Sequence, residues 1–196
     1  VEAGLTLLGM VSMIDPLREE VPAAMAAAEL AHIRVNVITG DFALTAEAIA
    51  RKAGLVGKND HLVTVAGVDL PTMKDSVILE HIIRGGTIFS RVSPEDKLRI
   101  VEIAKRGGEI IAVTGDGIND APALKKASIG IAMGIKGTDA ARESSDMVLV
   151  DDNFASIVAG VEEGRREYDN IARFTRYLLS SNVGEIVAIV GGLLLG

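Results

Sequence analysis

The sequence contains no cysteine among its 196 residues, which excludes disulfide bonds and thiolate metal sites. It also has no excess of positive charge, because 20 lysines and arginines stand against 27 aspartates and glutamates and give a net charge of −7. A phosphate backbone needs a basic protein face, so this balance argues against nucleic acid as a partner. The N-terminus lacks an initiator methionine, a basic region and a cleavage pattern, so we expect no signal peptide and a chain that continues upstream.

Apolar runs of strand length alternate with helical patterns along most of the chain. Strands are predicted over residues 5–15, 35–41, 62–68, 87–92, 109–116, 129–134 and 146–152. Helices are predicted over residues 19–31, 43–54, 74–84, 94–106, 121–127 and 138–143. Because apolar strands separated by helices form parallel sheets that are covered on both faces, the sequence predicts an α/β fold with one mostly parallel sheet.

Polar side chains follow several of these strands at the point where each strand ends. They are Asp15, Thr39, Asp41, Arg91 and Asp116. Ligands of open α/β sheets bind at the carboxyl ends of the strands. We therefore expect these side chains to converge on one rim of the sheet.

The string "TGDGIND", residues 114–120, places two carboxylates, an amide and two glycines directly after a strand. Mg²⁺ prefers carboxylate oxygens, whereas lysine and backbone N–H groups neutralise phosphate. We expect Asp116 to bind the metal and Lys97, at the start of a helix, to supply positive charge. Thr39 and Asn119 are expected to donate hydrogen bonds to a phosphoryl group. The alternative is a simple turn that caps the following helix.

The sequence around this loop resembles the hinge motif of the P-type ATPases, the ion pumps whose catalytic domain has the haloacid dehalogenase fold. Further strings match the same family in the same order, so the resemblance covers essentially the whole chain. They are "DPLREEV" from Asp15, "VITGD" from Val37, "FSRVSPEDK" from Phe89, "GTDAARESSDMVL" from Gly137 and "EGRREYDNIARFTRYLLSSNVGE" from Glu163. The resemblance implies a Rossmann-like parallel sheet with flanking helices, followed by a long helix that enters a membrane.

The resemblance also implies roles for individual residues, with ATP and Mg²⁺ as cofactors. Contacts to the transferred phosphoryl group are implied for Thr39, Gly40, Lys97 and Asn119, Mg²⁺ binding for Asp116, support of the loop for Asp120, and a position near the nucleotide for Asp41 and Arg91. Ser128 stands where the family usually has an aspartate, so a local hydrogen-bonding or cation contact is expected to be lost there.

The nucleophile of this family is an aspartate in a "DKTGT" sequence, and no such string occurs in the 196 residues. The resemblance implies that this aspartate ends the central strand and is followed by the nucleotide-binding domain, so we expect both upstream of Val1. Without the nucleophile, the chain alone is predicted to be inactive, because it cannot form an aspartyl-phosphate. A sheet without its central strand is also predicted to have two exposed edges.

The C-terminal part has the pattern of one long helix that enters a membrane. Four arginines, at positions 165, 166, 173 and 176, precede an apolar segment whose single charge is Glu185. Because a segment of about 20 apolar residues spans a bilayer and arginines mark the cytoplasmic flank, the catalytic domain is predicted to be cytoplasmic. The predicted divisions are a phosphorylation-domain portion (1–152), a stalk helix (153–176) and a transmembrane helix (177–196). A buried core helix is the alternative.

Asn182 and Glu185 indicate what such a helix binds. They are three residues apart, so their oxygens share one helical face, and oxygen ligands suit a hard cation such as Ca²⁺. A carboxylate inside a bilayer is a functional site by default. "SSNVGE" resembles the fifth transmembrane helix of the sarco/endoplasmic-reticulum-type calcium pumps and their bacterial relatives, whereas sodium/potassium pumps usually have a proline where Gly184 stands. The implied partners are the transported cation, ATP, membrane lipid, and the nucleotide-binding domain and other transmembrane helices of a pump.

The sequence leaves two other function classes open. One is a soluble phosphatase of the haloacid dehalogenase superfamily, which would share the threonine, lysine and "GDGIND" elements but would not need an arginine-flanked apolar helix. The other is a non-catalytic truncated pump that binds a partner through an exposed sheet edge.

Overall fold

The computed structural model describes residues 4, 6–11, 16–55 and 62–196. These residues form six strands and seven α-helices. The strands are β1 (Val37–Ile38), β2 (Val63–Ala66), β3 (Thr87–Ser90), β4 (Ala112–Gly115), β5 (Ile129–Met133) and β6 (Met147–Leu149). The helices are α1 (Val21–Leu30), α2 (Ala43–Ala53), α3 (Asp75–Arg84), α4 (Pro94–Arg106), α5 (Ala121–Lys126), α6 (Asp139–Glu143) and α7 (Phe154–Leu195).

Local capping chemistry explains why the predicted ends of α2 and α4 are confirmed. Ser93 caps α4, since its side chain accepts a hydrogen bond from the Asp96 N–H at 3.2 Å, and Pro94 occupies the first helical position. α2 ends at Gly54, whose φ of 77° is a left-handed conformation that glycine adopts without strain. Both signals are visible in the sequence because they depend on adjacent residues.

The predicted α/β fold with parallel strands and flanking helices is confirmed, and the described strands form two parallel sheets rather than one. The first sheet has the order β1-β3-β2 and the second has the order β4-β5-β6. In the described part of the chain, no strand joins β1 to β4, so each of these strands lies at a sheet edge. Each sheet has two edge strands, so the described residues have four of them, β1 and β2 in the first sheet and β4 and β6 in the second.

The first predicted strand is not formed where the structure describes it. Residues 6–11 are irregular, and their apolar side chains are exposed, with Leu7 at 88% and Leu8 at 98%. An apolar run becomes a strand only when a neighbouring strand pairs with its backbone and buries its side chains, and none of the described strands does so here. Asp15, which the sequence places at the end of this strand, lies outside the described residues.

Helix α4 packs against both sheets. Ile100 and Ile103 are buried in a cluster with Phe89 of the first sheet. Val101, on another face of the same helix, is buried with Ala123 of α5 and contributes to the cluster that contains Val113 of β4. The two sheets are thus held together by side chains of α4.

Helix α7 is 42 residues long, and none of its residues is buried. It is the one helix in the described part of the chain that is long and apolar enough to cross a membrane. Its N-terminal part packs against α1, and Arg165 donates a hydrogen bond to the Ala31 carbonyl at 2.8 Å. Residues 173–190 of the helix are exposed.

We predict that Ile100→Ala will lower the free energy of unfolding by about 2–5 kcal/mol, because it leaves a cavity where α4 packs on the first sheet. Ile110→Ala removes the same atoms from a side chain that is 88% exposed, whereas Ile100 is 3% exposed. Denaturant unfolding of both variants in detergent measures the difference. Equal losses in the two variants would contradict the packing of Ile100 against the first sheet.

Candidate functional site

The loop after β4 is a tight turn closed by Asp120. The chain passes from Gly115 through Asp116 into a short 3₁₀ turn, Ile118–Asp120. The Asp120 carboxylate accepts a hydrogen bond from the Gly117 N–H at 3.2 Å. A β-carbon at Gly115 would lie 2.5 Å from that of Asp120, so only glycine fits this approach.

Lys97 joins this loop to the start of α4. Its ammonium lies 2.7 Å from Oδ1 of Asp120, and the two side chains are 19% and 15% exposed. A charge-assisted hydrogen bond in a partly buried position is stronger than an exposed ion pair. The pair therefore fixes both the ammonium and the turn.

Asp116 and Asn119 are exposed beside this ion pair. Among the residues that the structure describes, neither side chain makes a hydrogen bond or an ion pair. The Asp116 backbone is fixed, because its carbonyl accepts a hydrogen bond from the Thr138 N–H at 2.8 Å. A free carboxylate and a free amide on a fixed backbone can both contact a ligand.

A second polar loop follows β1. The Thr39 N–H donates to the Phe89 carbonyl at 2.9 Å, and the Thr39 hydroxyl accepts from the Asp41 N–H at 3.0 Å. Gly40 is exposed, with open space where a β-carbon would stand. The Arg91 N–H donates to the Asp41 carbonyl at 3.1 Å, which ties this loop to the end of β3.

The chain path brings the two loops to the same side of the molecule. β1 and β3 are parallel neighbours, so Thr39 and Arg91 follow adjacent strand ends. α4 begins shortly after Arg91, and Lys97 in its first turns contacts Asp120 beyond the end of β4. The carboxyl ends of β1, β3 and β4 therefore face one rim, as the strand-end pattern predicts for these residues.

The charges of this rim favour a divalent cation together with a phosphate. Arg91 and Lys97 carry two positive charges against the three negative charges of Asp41, Asp116 and Asp120, so the rim has a net charge of −1 and does not attract an anion by itself. No cluster of three or more metal-ligating side chains occurs among the described residues. Mg²⁺ needs none, since it is often held by one or two carboxylates while phosphate oxygens and water complete its coordination. The Asp116 carboxylate fits such a site.

Asn182 and Glu185 lie far from the rim. Both are exposed on α7, one helical turn apart. Asn182 follows Phe154 by 28 residues, which corresponds to about 40 Å along the helix at 1.5 Å per residue. The described residues place no other helix beside them.

Asp152 anchors the segment before α6, and the sequence patterns did not identify this contact. Its carboxylate accepts hydrogen bonds from the N–H groups of Ile135 and Lys136, both at 2.9 Å, and the residue is 4% exposed. Burial alone raises the pKa of Asp152, but the backbone N–H donors and the nearby Arg18 guanidinium outweigh it, and the pKa is lowered. Paired aspartates directly before a helix are the signal that could have indicated this anchor.

Ser128 keeps a contact with the segment that leads into β4. Its hydroxyl accepts a hydrogen bond from the Ile111 N–H at 3.2 Å, and its own N–H donates to the Ile111 carbonyl at 3.0 Å. The departure from the family pattern therefore leaves this position hydrogen-bonded.

Comparison with known proteins identifies relatives along the whole chain. The profile of a hydrolase family, described as haloacid dehalogenase-like hydrolase, matches residues 1–128. An endoplasmic reticulum-type calcium-transporting ATPase of Arabidopsis thaliana is 50% identical over 203 residues, which cover 100% of this chain and 20% of the plant protein. A calcium-transporting ATPase of Bacillus subtilis (strain 168) is 46% identical over 194 residues, which cover 99% of this chain and 22% of that protein.

A solved structure has the same fold. The crystal structure of a zinc-transporting PIB-type ATPase in the E2.Pi state superposes with a TM-score of 0.61 and 30% identity, covering 81% of this chain and 21% of the other. This chain spans about one fifth of the length of the curated relatives described above.

We predict that Asp152→Asn will destabilise the fold in a pH-dependent way. Because its folded-state pKa is lowered, the carboxylate stabilises the fold above the unfolded pKa of about 3.9, and this contribution is lost as the pH falls through the folded value. The difference in unfolding free energy between the original chain and Asp152→Asn should thus shrink on acidification below about pH 4. Urea unfolding followed by circular dichroism measures it.

Asp69→Asn is the matched control, because it removes an exposed carboxylate whose side chain makes no hydrogen bond among the described residues. Its effect should stay within about 0.5 kcal/mol. A loss for Asp152→Asn that is independent of pH would contradict the role of the charge.

Proposed function

Because the chain belongs to the haloacid dehalogenase-like hydrolase family, we propose that it is part of an ATP-driven cation pump of the P-type ATPase class, with Ca²⁺ as the transported ion. One observation carries the proposal most directly: the ion pair of Lys97 and Asp120 holds the start of α4 beside the free carboxylate of Asp116. This combination of a fixed cation and a free carboxylate at the strand ends suits phosphoryl transfer.

In this proposal the chain supplies the groups that hold the transferred phosphoryl group. Thr39 and Gly40 offer a hydroxyl and an unobstructed backbone, while Lys97 and Asn119 offer an ammonium and an amide. Asp120 keeps Lys97 and the turn in place. Asp116 would hold Mg²⁺, which supplies positive charge that stabilises the developing charge on the phosphoryl oxygens.

The nucleophile would come from a part of the pump outside these 196 residues. The strand that carries the aspartate of a "DKTGT" sequence would lie between β1 and β4. It would pair with the free edge of each sheet and so join the two sheets. Its carboxylate oxygen would attack the terminal phosphorus of ATP, and ADP would leave. Asp41 and Arg91 are proposed to contact the nucleotide at the edge of the same rim.

The proposed ion site lies on α7. Asn182 and Glu185 would contribute oxygen ligands for Ca²⁺ inside the membrane, with the remaining ligands supplied by other helices of the pump. The arginines before the span support a cytoplasmic catalytic domain. We propose the divisions 1–152, 153–176 and 177–196 as catalytic portion, stalk and membrane span.

A route of hydrogen bonds connects the rim with α7. The Asp116 carbonyl accepts a hydrogen bond from the Thr138 N–H, and the Lys136 N–H, two residues before Thr138, donates to the Asp152 carboxylate. The next residue, Asn153, caps α7, because its side-chain oxygen accepts a hydrogen bond from the Ala155 N–H. In the proposed pump, phosphorylation at the rim would move α7 through this hydrogen-bonded segment.

The exposure of α7 argues against a soluble phosphatase. Ile186, Leu193 and Leu195 are 60%, 80% and 92% exposed. A long apolar helix without a protein partner needs a membrane or another chain to cover it. A membrane pump accounts for this helix and for the rim together.

We predict that Lys97→Met in the full-length protein will reduce phosphorylation from ATP at least about 100-fold, because the transition state loses a fixed positive charge. Lys125→Met is the matched control, since Lys125 is exposed on α5 and should be dispensable. Acid-stable, hydroxylamine-sensitive incorporation of labelled phosphate measures both. Equal phosphorylation of the two variants would exclude the role of Lys97.

A second variant tests the ion site. Glu185→Gln in the full-length protein should abolish Ca²⁺-dependent phosphorylation, because an amide oxygen is a much weaker ligand for Ca²⁺ than a carboxylate. Glu167→Gln changes an exposed glutamate about five turns earlier on the same face of α7 and should have little effect. Unaltered Ca²⁺ dependence in Glu185→Gln would remove the ion-site assignment.

A further inference from the structure

The ring of Phe42 lies against the guanidinium of Arg91, with 4.4 Å between the guanidinium carbon and the ring centroid. We propose that Phe42 is a positioning residue that holds Arg91 in the orientation in which it contacts the nucleotide. This inference rests on the proposed function, because it assumes that Arg91 contacts a nucleotide at the rim.

The backbone fixes where Arg91 begins. Its φ of 55° lies in the left-handed region, which residues other than glycine rarely adopt and which persists only when neighbours stabilise it. Two backbone hydrogen bonds stabilise it here. The Arg91 N–H donates to the Asp41 carbonyl at 3.1 Å, and the Val92 N–H donates to the Thr39 carbonyl at 3.0 Å. A β-carbon at Gly67 would overlap the Arg91 carbonyl oxygen, so Gly67 permits this conformation.

The backbone does not fix where the guanidinium ends, because an arginine side chain has several rotatable bonds. Among the described residues, no hydrogen bond or carboxylate holds the Arg91 guanidinium. The guanidinium instead lies against the face of the Phe42 ring. A ring face attracts a cation without occupying the N–H donors of that cation. The five donors thus stay free for the oxygens of a ligand.

The position of Phe42 supports a role beyond packing. Phe42 is the N-cap residue of α2, where serine, threonine, aspartate and asparagine are preferred, and it makes no capping hydrogen bond. Its side chain is also 66% exposed. An exposed aromatic ring at a cap position gains neither a cap nor a core contact, so its contact with Arg91 is the interaction that it contributes here.

The inferred ligand is a nucleotide with its phosphates at the rim. Thr39 and Gly40 lie two or three residues before Phe42, and Arg91 is hydrogen-bonded to the same loop through its backbone. A guanidinium held beside that loop can donate to ribose or phosphate oxygens of a nucleotide whose terminal phosphate lies near Lys97. Holding the side chain in advance reduces the conformational entropy lost on binding.

The test measures the ATP concentration that half-saturates phosphorylation of the full-length protein. Phe42→Leu, which keeps an apolar side chain but removes the ring, should raise this concentration about two- to fivefold, the change expected for one exposed cation–π contact. The maximal rate at saturating ATP should fall by much less. Phe42→Tyr keeps the ring and should restore the original value. Phe174→Leu removes an equally exposed ring from α7 and is the matched control.

Arg91→Gln completes the design. It should raise the half-saturating concentration at least as much as Phe42→Leu, and adding Phe42→Leu to it should cause no further change, because the two residues act through one contact. A rise with Arg91→Gln but none with Phe42→Leu would overturn the positioning role and leave the proposed pump function intact. Additive effects, or equal losses in Phe42→Leu and Phe42→Tyr, would also overturn it. Failure of the original full-length protein to be phosphorylated by ATP would instead contradict the proposed function itself.

Discussion

The packing of α4 between the two sheets is the constraint on which the candidate site depends. The described strands of the two sheets do not pair with each other, so side chains and not backbone hydrogen bonds set their spacing. Ile100 and Val101 belong to different clusters, one on each side of the helix. Because α4 also starts at the end of β3, the same packing brings Lys97 to Asp120. The distance between the two polar loops is therefore fixed by a buried core.

The ion pair has a consequence for what the rim can bind. Asp120 already neutralises the ammonium of Lys97, and Asp116 adds a further negative charge. In the proposed function, a phosphate would meet net repulsion unless a divalent cation came with it, so anion binding and metal binding at this rim would be coupled. The pair gives Lys97 a fixed position and reduces the long-range attraction that a free lysine would exert. In the proposed function, the fixed position of the Lys97 ammonium, and not the net charge of the rim, would stabilise a phosphoryl group.

Local signals in the sequence were sufficient for most elements and insufficient for the contacts between them. The start of α4 at Pro94 and the end of α2 at Gly54 follow from adjacent residues, and buried strands follow from apolar runs. Because Thr39, Arg91 and Asp116 each follow a predicted strand, the sequence also predicted that they lie at the same rim of the fold. The same rules could not show that residues 6–11 lack a partner strand or that one sheet becomes two. The contacts of Asp152 with the loop before α6 and of Phe42 with Arg91 also escaped them, because each joins residues 16 to 49 positions apart.

The link between the rim and α7 has a mechanical property that follows from its chemistry. The buried Asp152 carboxylate accepts hydrogen bonds from the two backbone N–H groups of residues 135 and 136. The guanidinium of Arg18, in the segment before α1, donates to the Asp152 carbonyl at 2.6 Å. If that segment moved while α7 stayed in place, a buried carboxylate and two N–H groups would lose their partners, which is energetically costly. Moving the start of α7 together with the segment keeps these hydrogen bonds. In the proposed pump, a displacement at Asp116 that is passed through Thr138 would therefore move α7 at a lower cost than it would deform the contact between Asp152 and residues 135–136.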